Sequence, residues 1–173
     1  MSKNLFFLIL LMVAHFGFGQ NCDKIKPDRK TGVKYYYTKI GANIMFSAKR
    51  FESGELYAHI SVKQSFNNAK KPSVKDGLDL LFEDGSKLSF PYAKVTVGNR
   101  GGSSWLYESR FPIRETHIKV LSEKKITHFQ LYVFKDGFQS QVTKYTSKQI
   151  YLYAWCFYHN EKAKPPAIPK IQD

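Results

Sequence analysis

Gly77-Leu78-Asp79-Leu80-Leu81-Phe82-Glu83-Asp84-Gly85-Ser86-Lys87-Leu88-Ser89-Phe90-Pro91 reads as a β-hairpin. Two apolar-alternating runs flank an Asp-Gly step, the strongest short-range hairpin signal. The faces choose the register. A two-residue loop at Asp84-Gly85 sets Phe82 against Lys87 and Leu80 against Ser89, apolar against polar. A three-residue loop, Glu83-Asp84-Gly85, sets Leu80 against Leu88 and Leu78 against Phe90. That register predicts a type I turn with Gly85 in the left-handed region of a G1 bulge. The neighbouring segments read as further strands built onto the same sheet.

Working outward, strands are expected at Val33–Ile40, with Tyr35-Tyr36-Tyr37, and at Ile44–Phe51. From Leu56 the alternation is strict. Leu56, Ala58, Ile60 and Val62 make an apolar face, and Tyr57, His59, Ser61 and Lys63 an amphipathic one. Asn67–Asp76 is a polar loop. Val95–Val97, Trp105–Phe111, Ile126–Phe134 and Phe138–Thr143 read as strands, the last two joined by a Lys135-Asp136-Gly137 turn. His117–Leu121 is a helical turn or a short strand. Thr146–His159 reads as a helix, with Thr146 and Gln149 spaced as a capping box and Ile150, Tyr153, Ala154 and Phe157 at helical spacing. A strand is its rival, because Tyr151, Tyr153, Trp155 and Phe157 also alternate. The fold class expected is mainly β, a β-sandwich or open barrel of antiparallel strands with a C-terminal α-helix.

The chain has 173 residues, enough for one domain with a core. Residues 1–19 read as a secretory signal peptide: Lys3, an apolar run Leu5–Val13, and small residues Gly17 and Gly19 before a cut at Gln20. The apolar run is too short to span a bilayer, which takes about 20 residues. Residues 20–160 then form the single β-rich domain, and 161–173 a Pro-containing tail. No later segment reads as membrane-spanning, so the mature chain is expected to be exported, periplasmic or secreted. Removing Lys3 with the leader takes the formal charge from +13 to +12. That excess implies attraction to anionic partners, polyanionic glycans, nucleic acid or lipid headgroups, with an anionic glycan or another envelope component the partner expected, although many exported proteins are simply basic. The cations are dispersed and carry no specific nucleic-acid signature. Cys22 and Cys156 lie near opposite ends of an exported chain and are expected to form one disulfide, with two free thiols the alternative.

No motif of a known chemistry is present. There is no Gly-x-Ser-x-Gly, no His-Glu-x-x-His and no P-loop. Gly98–Ser104 is glycine-rich without dinucleotide spacing and reads as a strand connection. The sequence implies no cofactor and no metal. His59 and His128 sit on strand candidates where they would meet across a sheet, although two unrelated histidines is the simpler reading. Asp79, Glu83, Asp84 and Asp136 fall at strand or turn positions where acids are ordinary. The most suggestive cluster is aromatic and basic: Arg100, Trp105, Tyr107, Arg110 and Arg114. Planar rings stack on sugars, and arginines hold anions bidentately. The bland alternative puts Trp105 and Tyr107 in the core.

Several marks occur in order along the chain. They are Cys22-Asp23, Thr31-Gly32, Leu80 to Gly85, Trp105-x-Tyr107 leading to Phe111-Pro112-Ile113, Lys124-Lys125-Ile126-Thr127, Asp136-Gly137 and a late Cys156. In this order the chain resembles a group of small secreted proteins of unknown function from Gram-negative bacteria. The resemblance implies paired cysteines and a terminal helix, and it brings no activity with it. The function expected is an exported non-catalytic binding or structural module of the bacterial envelope. An envelope-polymer hydrolase, or a glycan- or polyanion-binding module using the Trp105–Arg114 region, is the alternative.

Overall fold

The computed structural model describes residues 22, 25, 31, 33–38, 42–67, 70, 77–91, 94–99, 105–134 and 137–161. Residues 1–21, most of the polar loop up to Asp76, residues 100–104, Lys135-Asp136 and the residues beyond Glu161 lie outside them. Along the described chain run β1 (Tyr35–Tyr37), β2 (Ile44–Arg50), β3 (Leu56–Phe66), β4 (Leu78–Phe82), β5 (Lys87–Phe90), β6 (Lys94–Asn99) and β7 (Trp105–Pro112). Then follow α1 (Glu115–Glu123), β8 (Ile126–Leu131), β9 (Phe138–Gln141) and α2 (Lys144–Glu161).

The hairpin has the register that its faces require. Leu78 pairs with Phe90 and Leu80 with Leu88. The Phe82 N–H donates to Ser86 O at 3.0 Å, and the Gly85 N–H to Phe82 O at 3.1 Å, closing a three-residue loop. Gly85 has φ +79°, as a G1 bulge demands. Asp84 serves the turn: its Oδ1 accepts from the Ser86 N–H at 3.0 Å, and its Oδ2 meets Lys124 Nζ at 2.7 Å. A Cβ on Gly85 would meet no atom within 4 Å, so a substitution there is penalised by backbone conformation alone. Gly85→Ala is expected to cost about 1–2 kcal/mol, and Gly85→Asn clearly less. Urea unfolding midpoints of the two variants check this, and equal midpoints would refute the left-handed assignment.

The strands form two antiparallel sheets, ordered β1-β2-β3-β7-β6 and β5-β4-β8-β9. The segments around the hairpin therefore divide between sheets. The adjoining β6 and β7 leave for the larger sheet, and β8 takes the place beside β4. Apolar alternation decides the facing sides. Ile44, Phe46, Ala48, Ala58, Ile60, Val62, Tyr107 and Phe111 are buried on one side of the larger sheet. Leu78, Leu80, Phe82, Phe90, Ile126, Phe129 and Leu131 are buried on one side of the smaller. All belong to one contiguous core. Phe90 lies 6.4 Å from Phe111 between ring centres, and Phe134 lies 4.8 Å from Phe66 and 5.1 Å from Tyr107. These contacts close the sandwich over β3 and β7.

The β1–β2 end of the core is covered by helix instead. α2 packs on β1, β2 and α1, with Phe157 edge-on to Tyr36 at 5.3 Å. Of its buried residues, Ser147, Ile150, Ala154 and Phe157 follow the 3.6-residue period, with the disulfide-bonded Cys156 buried beside them, and that period overrides the alternating aromatics. The helix starts two residues before Thr146. The cap is Thr143, whose Oγ1 accepts the Thr146 N–H at 3.1 Å. The stretch left open between helical turn and strand is α1. It buries Ile118, Leu121 and Ser122. At its start the Arg114 N–H donates to His117 Nδ1 at 3.2 Å. Burial, aided by the Arg114 charge, holds the His117 pKa below its ordinary value, which keeps Nδ1 able to accept. Cys22 and Cys156 are joined in a disulfide that ties the start of the described chain to α2. No helix among the described residues is long and apolar enough to cross a membrane.

Candidate functional site

The four described residues of the five predicted from sequence do not come together on one surface. Arg100 lies outside the described residues. Tyr107 is 1% exposed, and its hydroxyl donates to Lys70 O at 2.8 Å, so it is a core residue. Trp105 shares its inward face and packs against the core. Both side chains follow from strand alternation: residues 105, 107, 109 and 111 of β7 all face the smaller sheet. Arg114 is exposed at the start of α1. Only Arg110 points to the other side, and that side carries a surface which motif reading missed. His59 and His128 do not meet either. They stand on different sheets, and among the described residues no three His, Cys, Asp or Glu side chains converge as metal ligands.

The outer side of the larger sheet is built by the residues between the core positions. Register sets them in rows. Tyr35, Lys49 and Tyr57 lie side by side across β1, β2 and β3. Tyr37, Ser47, His59 and Pro112 form the next row. Ser61, Arg110 and Lys94 form a third, and Lys63, Glu108 and Thr96 a fourth. Tyr35, Tyr37 and Tyr57 are 39%, 47% and 43% exposed. They make up half of the large apolar side chains left exposed among the described residues. Their concentration on one face marks a surface, since scattered exposure is ordinary and clustered exposure is not.

Lys49 is the centre of this face. Its ammonium lies 4.4 Å from the Phe51 ring centre, 5.3 Å from Tyr57 and 6.0 Å from Tyr35. Ring faces attract a cation through their quadrupole without neutralising it. No carboxylate among the described residues pairs with Lys49, so its charge is positioned yet still available to an anion. The Tyr57 ring stands edge-on to His59 at 5.2 Å, and Tyr35 stacks tilted on Tyr37 at the same distance.

The neighbouring charges are uneven. Arg110 Nε and Nη2 donate to the two oxygens of Glu108 at 3.1 and 3.3 Å. Burial works to raise the Glu108 pKa, but the Arg110 guanidinium carries it below the ordinary value. Lys94 sits directly across from Arg110. Like charges at opposed positions repel, and here the Glu108 carboxylate balances the Arg110 charge. Burial and, next, the Arg110 charge hold His59 below its ordinary pKa, with Glu108 opposing. His59 is thus a neutral ring at physiological pH, able to donate and accept a hydrogen bond. The face offers planar rings, several cations and one committed carboxylate. Chemically, that set can stack on flat ligand faces and neutralise anionic groups. Its signal was present in the sequence: the amphipathic half of the Leu56–Lys63 alternation, and three consecutive tyrosines of which two must share a face.

Comparison of the chain with protein-family models, with curated proteins and with solved structures finds no match.

Proposed function

We propose that this chain is an exported, non-catalytic module of the bacterial envelope that binds anionic glycans across the outer face of its larger sheet. The observation that carries the reading is Lys49, held over three aromatic rings and flanked by the exposed Tyr35, Tyr37 and Tyr57. Rings of this kind stack on sugar faces. Lys49, Lys63, Lys94 and Arg110 answer the ligand's charge. The non-catalytic part rests on the carboxylates. A glycosidase needs two of them about 5–10 Å apart, whereas the strand residues of this face supply Glu108 alone, committed to Arg110. Export rests on the leader sequence and on the disulfide, which belongs to oxidising compartments. The envelope setting rests on the sequence resemblance.

Equilibrium binding to dextran sulfate, with neutral dextran alongside, tests the proposal. Binding to the sulfated polymer is expected at low salt. It should weaken as salt rises past about 0.1 M, where the screening length falls to about 10 Å. Tyr57→Ala and Lys49→Ala should each lower affinity about tenfold, a loss of about 1.4 kcal/mol. Lys87→Ala, on the outer side of the smaller sheet, should leave it unchanged. Equal binding by all three variants would remove this face as the site.

A further inference from the structure

A second concavity lies away from the tyrosine face, between the first half of α2 and the strands β8 and β9. Its volume is about 710 Å³, within the range of about 300–1,000 Å³ typical of small-molecule clefts. The floor is apolar. Ile126 and Val142 are buried beneath it, and the half-buried Leu152 forms a wall. A β-bulge sits here. Leu81 pairs with His128 and Phe82 with Ile126, so Thr127 is left without an opposite residue. Its hydroxyl donates to Leu81 O at 3.1 Å, and its carbonyl accepts from the Val142 N–H at 2.8 Å. The hydroxyl and carbonyl of the bulged residue are therefore both engaged within the fold.

The charges around the groove differ between its ends. Lys144 and Lys148 stand one helical turn apart at one end, both exposed. Neither forms an ion pair with a described carboxylate. The first turn of α2 contains no acid. Two like charges at this spacing repel each other, and cations oppose the dipole near a helix start. Local helix stability does not account for them. The acids gather at the far end around the hairpin turn. Glu83 is there, its N–H bonded to Lys125 O at 3.0 Å, with Asp84 and Glu123 lining a smaller adjoining hollow. A ligand in the groove thus meets two lysines at one end, an apolar floor, and at the other end a mixed set in which Lys125 stands beside Glu83 and Lys124 pairs with Asp84.

We infer that the groove binds a single-chain amphiphilic anion, with its charged head at Lys144 and Lys148 and its alkyl chain over Ile126, Val142 and Leu152. A neutral apolar ligand would leave the two lysines unused. A small inorganic anion would leave the floor unfilled. The orientation follows from which cations are uncommitted: Lys144 and Lys148 have no described carboxylate partner, whereas at the other end Lys124 is paired with Asp84 and Lys125 stands beside Glu83. The head is a carboxylate or a phosphate ester, since a lysine ammonium pairs with either.

Calorimetric titration of the full mature chain with decanoate and with decyl phosphate, both below their micelle concentrations, tests this. Decanol and acetate serve as probes lacking the charge and the chain. Saturable binding is expected for at least one of the two amphiphilic anions, and the tighter one names the head group. Decanol should bind at least about tenfold more weakly, and acetate not at all. The double variant Lys144→Gln, Lys148→Gln alters exposed residues and should keep the wild-type unfolding midpoint. It should lose about tenfold in affinity for the anion while binding decanol as before. Absence of binding by both anions overturns the inference. So does equal affinity for decanol, or an unchanged affinity in the double variant. Failure here leaves the tyrosine face untouched, because dextran sulfate binding is measured on other residues.

Discussion

Removing the disulfide by Cys22→Ala and Cys156→Ala is expected to lower the free energy of unfolding by about 4–5 kcal/mol. The bridge closes a loop of 134 residues in sequence separation. In the chain-entropy account, such a loop restricts the unfolded chain strongly. The folded side contributes as well. Both cysteines are buried, Cys156 fully, and they dock the start of the described chain on α2. α2 in turn covers the β1–β2 end of the core through Phe157 on Tyr36. Domains of this size have about 5–15 kcal/mol in all, so the loss is a large fraction of the total. Denaturant unfolding of the double variant, compared with wild type in oxidising and in reducing buffer, measures it. A difference under about 1 kcal/mol would mean that packing alone fastens the terminus.

Phe111→Ala is expected to cost about 3–5 kcal/mol. Phe111 is fully buried on β7, opposite Ile60 of β3, and its ring faces Phe90 of the smaller sheet. It is one of the few side chains that touch both layers. Truncation leaves a void with Ile60 behind it and Phe90 above it, and neither strand can move in without breaking ladder hydrogen bonds. Trp105→Ala, further along the same face but partly exposed, should cost distinctly less. Urea unfolding with an unchanged slope is the appropriate measurement. A loss under about 2 kcal/mol at Phe111 would contradict the sandwich packing described above.

The parts of the fold that could be read in advance are those governed by local alternation. The hairpin register was decidable because one choice set Phe82 against Lys87 and the other set Leu80 against Leu88. The terminal helix was legible in the helical spacing of Ile150, Tyr153, Ala154 and Phe157, but the alternating Tyr151, Tyr153, Trp155 and Phe157 kept a strand open until burial chose between them. α1 was not, since Thr116, His117, Ile118 and Val120 suit strands as well as helices, and only tertiary contacts with α2 choose between them. Which strands join which of the two sheets was equally hidden, because β4 pairs with β8 across more than forty residues. The candidate site was missed for a related reason. Arg100, Trp105, Tyr107, Arg110 and Arg114 are close in sequence, yet alternation sends Tyr107 inward and Arg110 outward. The face that does form gathers Tyr35, Lys49, Tyr57 and Arg110 from four strands. Pairing order, which the sequence does not spell out, is what assembles it.

The central claim is that anionic glycans bind the outer face of the larger sheet. Chemical-shift mapping of backbone amides and tyrosine rings during titration with a sulfated oligosaccharide tests it most directly. The account predicts saturable shifts centred on Tyr35, Tyr37, Lys49, Tyr57, His59 and Arg110, with β4 and β5 silent. Saturable shifts centred on the smaller sheet or on α2, with that tyrosine face unmoved, would contradict it.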